Sequence, residues 1–209
     1  MYSATQKKGI RKTLGILLGI VMVMLSLIFL NYVTRDVALS AEQAAKLGYI
    51  RFEQPRNLRV PRLVTEQGER ILPTYFQGQW DFLYFGFTSC PDICPTTLAV
   101  LNQALSTLDV PPRVHLVSVD PEQDTPAQLA RYLPGFNPDF LGVTGSHDQI
   151  TELATQLNVA FGKVPGAEPG SYTVDHTGSI VVLDETGRYA GFIKAPHQPG
   201  QLQQIIMGL

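Results

Sequence analysis

The two cysteines of this 209-residue chain stand four positions apart, in Cys90-Pro91-Asp92-Ile93-Cys94. Two thiols at that spacing can close a disulfide, exchange electrons as a dithiol, or grip a soft metal ion. On one helical turn their Cα atoms would lie about 6 Å apart, inside the disulfide range. A structural disulfide around so small a loop removes little unfolded-state entropy, so stability alone is a poor reason for it. The third intervening residue widens the sulfur separation relative to the Cys-x-x-Cys redox turn, which favours bridging to an ion. Two thiolates suit Cu(I), or Zn(II) if further ligands arrive.

A third donor is then expected, and the chain offers His115, His147, His176 and His197. His115 falls within an apolar run and reads as a core residue. His147 follows a helix cap, and His197 lies between prolines near the C-terminus; both read as surface or packing residues. His176 has a different context. It ends the Gly/Pro-rich stretch 163–170 and the segment Tyr172-Thr173-Val174-Asp175-His176, just before an apolar strand, where a loop residue can reach across a sheet edge. It is the candidate third ligand, with Asp175 as a candidate group to orient its imidazole.

The elements around these residues must hold them in place. Phe82-Leu83-Tyr84-Phe85 reads as a buried strand. Pro95 and the apolar face Leu98, Leu101, Leu105, Leu108 read as a helix that starts at Cys94. A thiol at a helix start is expected to have a lowered pKa, because free N–H groups and the helix dipole stabilise a thiolate. Val114-His115-Leu116-Val117-Ser118-Val119 reads as a buried parallel strand. It is followed by a helix capped by Thr125 with Pro126 at its first position.

Phe140-Leu141-Gly142-Val143 is a short strand and Ser146 caps another helix. Residues 179–183 and 189–193 form a hairpin across Asp184-Glu185-Thr186-Gly187, and residues 198–208 a closing helix. Upstream, 59–64 and 70–72 flank Glu66-Gln67-Gly68-Glu69 as a hairpin, and residues 34–54 read as a stalk or linker, with the Ala-rich Ser40–Leu47 within it as a short helix or part of the stalk. The order predicts an α/β, thioredoxin-like mixed sheet flanked by helices, over residues 55–209.

Leu14 to Leu30 is an uncharged apolar run of transmembrane length. Lys7, Lys8, Arg11 and Lys12 precede it with no acidic residue among them, which orients the N-terminus to the cytoplasm. The expected division is a basic segment 1–12, an anchor 13–33, a stalk 34–54 and the domain. Ala38-Leu39-Ser40 would suit a cleaved signal peptide, but the run exceeds the usual apolar region of one. With the four leading cations set aside, 12 of the 16 basic residues face 18 acidic ones, a net charge of −6. That balance gives no case for nucleic-acid binding. In an oxidising compartment a working dithiol must be kept reduced or be protected by metal.

Tyr84-Phe85-Gly86-Phe87-Thr88-Ser89-Cys90-Pro91-Asp92-Ile93-Cys94-Pro95-Thr96-Thr97-Leu98 resembles the signature of the Sco/SenC family of membrane-anchored copper proteins. Ser118-Val119-Asp120-Pro121-Glu122-Gln123-Asp124-Thr125-Pro126 resembles the family's second motif and Val174-Asp175-His176-Thr177 its third. The resemblance implies a thioredoxin-like domain facing the periplasm or intermembrane space. It implies copper held by Cys90, Cys94 and His176, and delivery to the dinuclear copper centre of cytochrome c oxidase. It also implies a copper-accepting oxidase subunit and a thiol reductant as partners, and a Cys90–Cys94 disulfide on oxidation. Ser89 stands where many relatives carry His, a departure that leaves the three ligands intact. Asp120 and Asp124 are matched by motif and read as a strand-end carboxylate and a helix-capping group; Asp92 is expected to shape the turn or bias the local field. The rival reading is a thiol–disulfide oxidoreductase that uses Cys90 or Cys94 to reduce the accepting subunit. A peroxidase on a similar fold is a weaker third.

Overall fold

A computed structural model of the chain describes residues 4–33, 39–166 and 171–209. The chain divides into two units after Ala38.

The first unit contains helix α1 (Ala4–Val33). Its residues Thr13–Leu30 make a stretch long and apolar enough to cross a membrane. Large apolar side chains from Leu14 to Leu30 are exposed all round the helix, so it has no separate apolar and polar faces over this stretch. The cleavage-like Ala38 lies outside the described residues.

The second unit is built on a seven-stranded mixed sheet in the order β1-β9-β8-β3-β4-β5-β2. At its centre β3 (Asp81–Gly86), β4 (Arg113–Ser118) and β5 (Leu141–Thr144) run parallel. Parallel neighbours need crossovers, which α3 (Ile93–Leu105) and α4 (Pro126–Tyr132) supply. All six residues of β3 are buried, as expected of a strand covered on both faces. β8 (Ile180–Leu183) lies antiparallel to β3, and β9 (Tyr189–Ile193) antiparallel to β8. Gly187, at φ +77°, makes the tight turn between them. α5 (His147–Gln156) follows β5, and α6 (Pro199–Ile206) closes the chain against α3. This is the thioredoxin-like architecture that the element order predicts.

Two segments differ from the sequence expectation. The stalk assigned to 34–54 is already part of the domain from Leu39: the short helix expected there forms as α2 (Ala41–Lys46), capped by Ser40, but β1 (Tyr49–Arg56) pairs with β9 as the sheet edge. The strand is hard to read because Arg51, Glu53 and Pro55 interrupt its apolar pattern, as edge strands permit. Residues 34–38 lie outside the described residues. The stretch 163–170, read as a loop, begins in a strand: β6 (Phe161–Pro165) pairs antiparallel with β7 (Tyr172–His176) as a separate two-stranded sheet. Residues 167–170 fall outside the described ones. The hairpin expected at 59–72 is present in compact form. Its turn carries Gly68 at φ +81°, and its short β2 (Val64–Thr65) pairs with β5.

Candidate metal centre

The carboxyl edge of the parallel strands gathers the chemistry, as it does generally in open α/β sheets. The cysteine turn leaves β3 there. Because β8 is antiparallel to β3, with Ile180 opposite Tyr84, the residues just before β8 arrive at the same edge. His176 is therefore brought against a turn more than 80 residues upstream by strand direction alone. The donor atoms of Cys90, Cys94 and His176 all lie within 4.8 Å of one another, and Cys94 Sγ is 3.5 Å from His176 Nε2. Donors sharing one ion through bonds of 2.0–2.3 Å would lie roughly 3.5–4 Å apart, a separation these three residues would reach with small side-chain shifts if they held a metal. His115, His147 and His197 lie outside it.

Each donor is set by its surroundings. Cys94 is wholly buried in the first turn of α3, behind the N-cap Asp92, whose side chain makes no capping bond. Its backbone N–H donates to Cys90 Sγ at 3.3 Å. That helix-start amide thus serves Cys90, which is half-buried, while the Phe87 backbone hydrogen-bonds the Cys94 sulfur. Burial, with the Cys90 thiol second, pushes the Cys94 thiol up to about 12. This corrects the expected lowering: removing the sulfur from water outweighs the helix-start effect. Gly86 makes the room, because a Cβ there would lie 3.0 Å from Cys94 Sγ and 3.1 Å from Leu116 Cδ1.

The His176 ring sits edge-to-face against Tyr84 and Phe87, with centroids at 6.0 and 6.1 Å. Its Nδ1–H donates to the Thr177 carbonyl at 3.3 Å, which leaves the Nε2 lone pair facing the sulfurs. The orienting group is that carbonyl rather than the exposed Asp175 carboxylate suggested by the sequence. Burial holds the His176 pKa below its usual 6.5, so the imidazole is neutral and able to coordinate at neutral pH.

The loop after β4 brackets both halves of the site. Asp124 is buried and accepts from the Thr88 N–H at 3.0 Å, the Thr88 hydroxyl and the Ser118 hydroxyl at 2.8 Å. It anchors the cysteine turn; the cap of α4 is Thr125 alone. Asp120 accepts from the Tyr172 hydroxyl at 3.0 and 3.1 Å, and Glu122 pairs with Lys163 at 2.7 Å. Lys163 Nζ also lies 4.3 Å from the centre of the Tyr172 ring. A two-stranded hairpin is marginal by itself, and these tethers fix β6–β7 beside the cysteines. Sequence reasoning missed Gly86, Thr88 and Tyr172 as positioning residues. Only Gly86, a glycine at the end of an otherwise bulky strand, carried a legible signal of close approach.

Ser89 is exposed and lines a cleft of about 440 Å³ with Asp120, Gln123 and Tyr172. A second cleft, of about 530 Å³, opens the cluster to solvent between Ile93 and Val164. His115 is a core residue, its Nε2 2.7 Å from Asp81, which also binds Arg113. His197 is held by the Gly178 carbonyl at 2.9 Å, and the exposed His147 packs on Phe161.

Fold and cluster together define a thioredoxin-like domain with a Cys-Cys-His group at its sheet edge. The chain belongs to the SCO1/SenC family, whose pattern matches residues 59–209. It is 36% identical over 149 residues to the mitochondrial SCO2 homolog of Bos taurus, covering 69% of this chain and 56% of that protein. The chain thus spans little more than half the length of this relative. Among solved structures it is similar to Arabidopsis thaliana ScoI with copper bound, at 30% identity and TM-score 0.65, covering 71% of this chain and 96% of that one. Bradyrhizobium japonicum ScoI with copper bound is also 30% identical, with TM-score 0.64 and coverage of 72% and 98%.

Proposed function

We propose that this chain is a membrane-anchored copper chaperone. It holds copper through the Cys90 and Cys94 sulfurs and His176 Nε2, and delivers it to the dinuclear copper centre of cytochrome c oxidase. The observation that carries the reading is the convergence of these three donors within 4.8 Å. Two soft sulfurs and one imidazole suit copper, and copper is bound in the solved ScoI structures from Arabidopsis thaliana and Bradyrhizobium japonicum.

Three donors leave room for an incoming ligand, so copper passes to the accepting subunit by stepwise exchange rather than as free ion. His176, on the hairpin, is the donor that can be detached without disturbing α3. The apolar stretch Thr13–Leu30 of α1 and the four cations before that stretch support an anchor at 13–33, behind a basic cytoplasmic segment 1–12. They also support a domain in the periplasm or an equivalent compartment. There a thiol reductant keeps Cys90 and Cys94 open, since oxidation would join them as a disulfide.

Anaerobic Cu(I) titration of the reduced protein against a competing chelator tests the reading. One equivalent bound by the native chain, and at least ten times more weakly by His176→Ala, is the expected result. Unchanged affinity in His176→Ala would remove the histidine from the site. Absence of tight binding, together with catalysed reduction of a partner disulfide by the metal-free protein, would establish the oxidoreductase instead. The burial of Cys94 leaves Cys90 as the more accessible attacking sulfur for that chemistry.

A further inference from the structure

The β6–β7 hairpin forms a sheet of its own, so among the described residues each of its strands keeps one edge unpaired. Two flanking hydrogen bonds fix how the pair alternates: Thr177 N–H donates to the Ala160 carbonyl and Gly166 N–H to the Ser171 carbonyl. In that register residues 173 and 175 exchange bonds with β6, and the peptide groups of Val174 and His176 point away from it. A free edge is a template for another strand, and lysine or proline usually blunts it. β6 carries Lys163 and Pro165, whereas β7 has neither.

The cleft of about 530 Å³ beside the cysteines runs along β7. β7 lines it from Thr173 to His176, and the cysteine turn lines it from Cys90 to Ile93. Ile93 is 60% exposed there, and Val164 adds a second exposed apolar side chain. Asp92 and Asp175 are exposed in the same cleft, and neither forms an ion pair among the described residues. No Lys or Arg lines it. The cleft therefore offers main-chain donors and acceptors, apolar surface and uncompensated negative charge side by side.

We propose that the β7 edge docks an extended segment of the copper-accepting polypeptide, one that alternates apolar and cationic side chains. The inference rests on the copper-site reading above, which supplies the partner. Main-chain bonds to Val174 and His176 give affinity, Ile93 and Val164 receive the apolar side chains, and Asp92 and Asp175 select for Lys or Arg. A strand added at this edge lies alongside His176 and brings its own donor atoms next to the Cys-Cys-His cluster.

The test uses the reduced, metal-free full chain in detergent and three acetylated hexapeptides. One alternates lysine with valine, one alternates glutamate with valine, and the third is the lysine peptide N-methylated at every amide, which removes the donors a strand needs. The lysine peptide should bind and slow amide hydrogen exchange at Val174 and His176. Binding should be about tenfold weaker in an Asp92→Asn, Asp175→Asn double variant, weaker still for the glutamate peptide, and absent for the N-methylated one. No binding of the lysine peptide, or binding that leaves exchange at Val174 and His176 unchanged, would overturn the docking site. Equal binding of the N-methylated peptide would overturn strand pairing, and equal binding of the glutamate peptide the cationic partner. Exchange at these amides that slows with protein concentration alone would assign the edge to a second copy of this chain instead. Cu(I) titration of the same protein separates the two readings: a chain that binds copper but no peptide ends this proposal alone, and one that binds no copper ends the copper-site reading.

Discussion

Copper affinity should fall steeply with acidification, and the slope can be worked from the burial of one sulfur. With the Cys94 thiol pushed up to about 12, this group is fully protonated in the metal-free protein throughout pH 5.5–7.5. Binding must therefore displace its proton at every pH in that window. One displaced proton costs a factor of ten in apparent affinity per pH unit, about 1.4 kcal/mol. From pH 7.5 to 5.5 Cys94 alone then accounts for about a hundredfold weakening, or about 2.7 kcal/mol. His176 adds to the slope only at the acid end, because burial holds its pKa below 6.5. The assay is anaerobic competition for Cu(I) with a chelator of known pH dependence, at pH 7.5, 6.5 and 5.5. An affinity that varied less than tenfold across the window would refute displacement of the Cys94 proton, and with it Cys94 as a ligand.

Gly86→Ala should keep the fold yet weaken copper binding at least tenfold, because its Cβ would sit 3.0 Å from Cys94 Sγ; the same chelator competition reads it. Tyr172→Phe removes the bonds to Asp120 and should speed amide hydrogen exchange across β6–β7 while exchange in β3 and β4 stays unchanged. Asp81→Ala leaves Arg113 and the buried His115 without their carboxylate. At about 3 kcal/mol for a broken buried pair, the melting temperature should drop by about 10 °C, with copper affinity of the folded protein unaltered. Finally, burial lowers the pKa of both His176 and His197. The folded metal-free chain thus binds fewer protons there than the unfolded chain does. Stability from this source is complete above pH 6.5 and lost as pH falls through the lowered folded values; thermal melts at pH 7.5 and 5 should differ less in a His176→Ala, His197→Gln double variant.

Strong local patterns were legible without coordinates. The apolar runs of β3 and β4, the Ser146 and Thr125 caps, and the turn ending at Gly187 each encode their element through neighbours a few residues away. The edge strand β1 and the hairpin β6–β7 were not legible. Their stability comes from partners far along the chain: β9 for the one, Asp120 and Glu122 for the other. Asp124 shows the same limit. Its position beside Thr125 suggested a helix cap, yet it serves Thr88, 36 residues away.

The sequence by itself determined the cysteine pair, the apolar N-terminal stretch and the order of the central elements, because these depend on residue type and local spacing, while the family resemblance pointed to His176. Tertiary structure decided what those residues can do. Strand direction carried His176 to the cysteine turn, since β8 must begin where β3 ends. Burial reversed the expected pKa of Cys94, because desolvation depends on what the fold packs around a sulfur and local spacing does not record it.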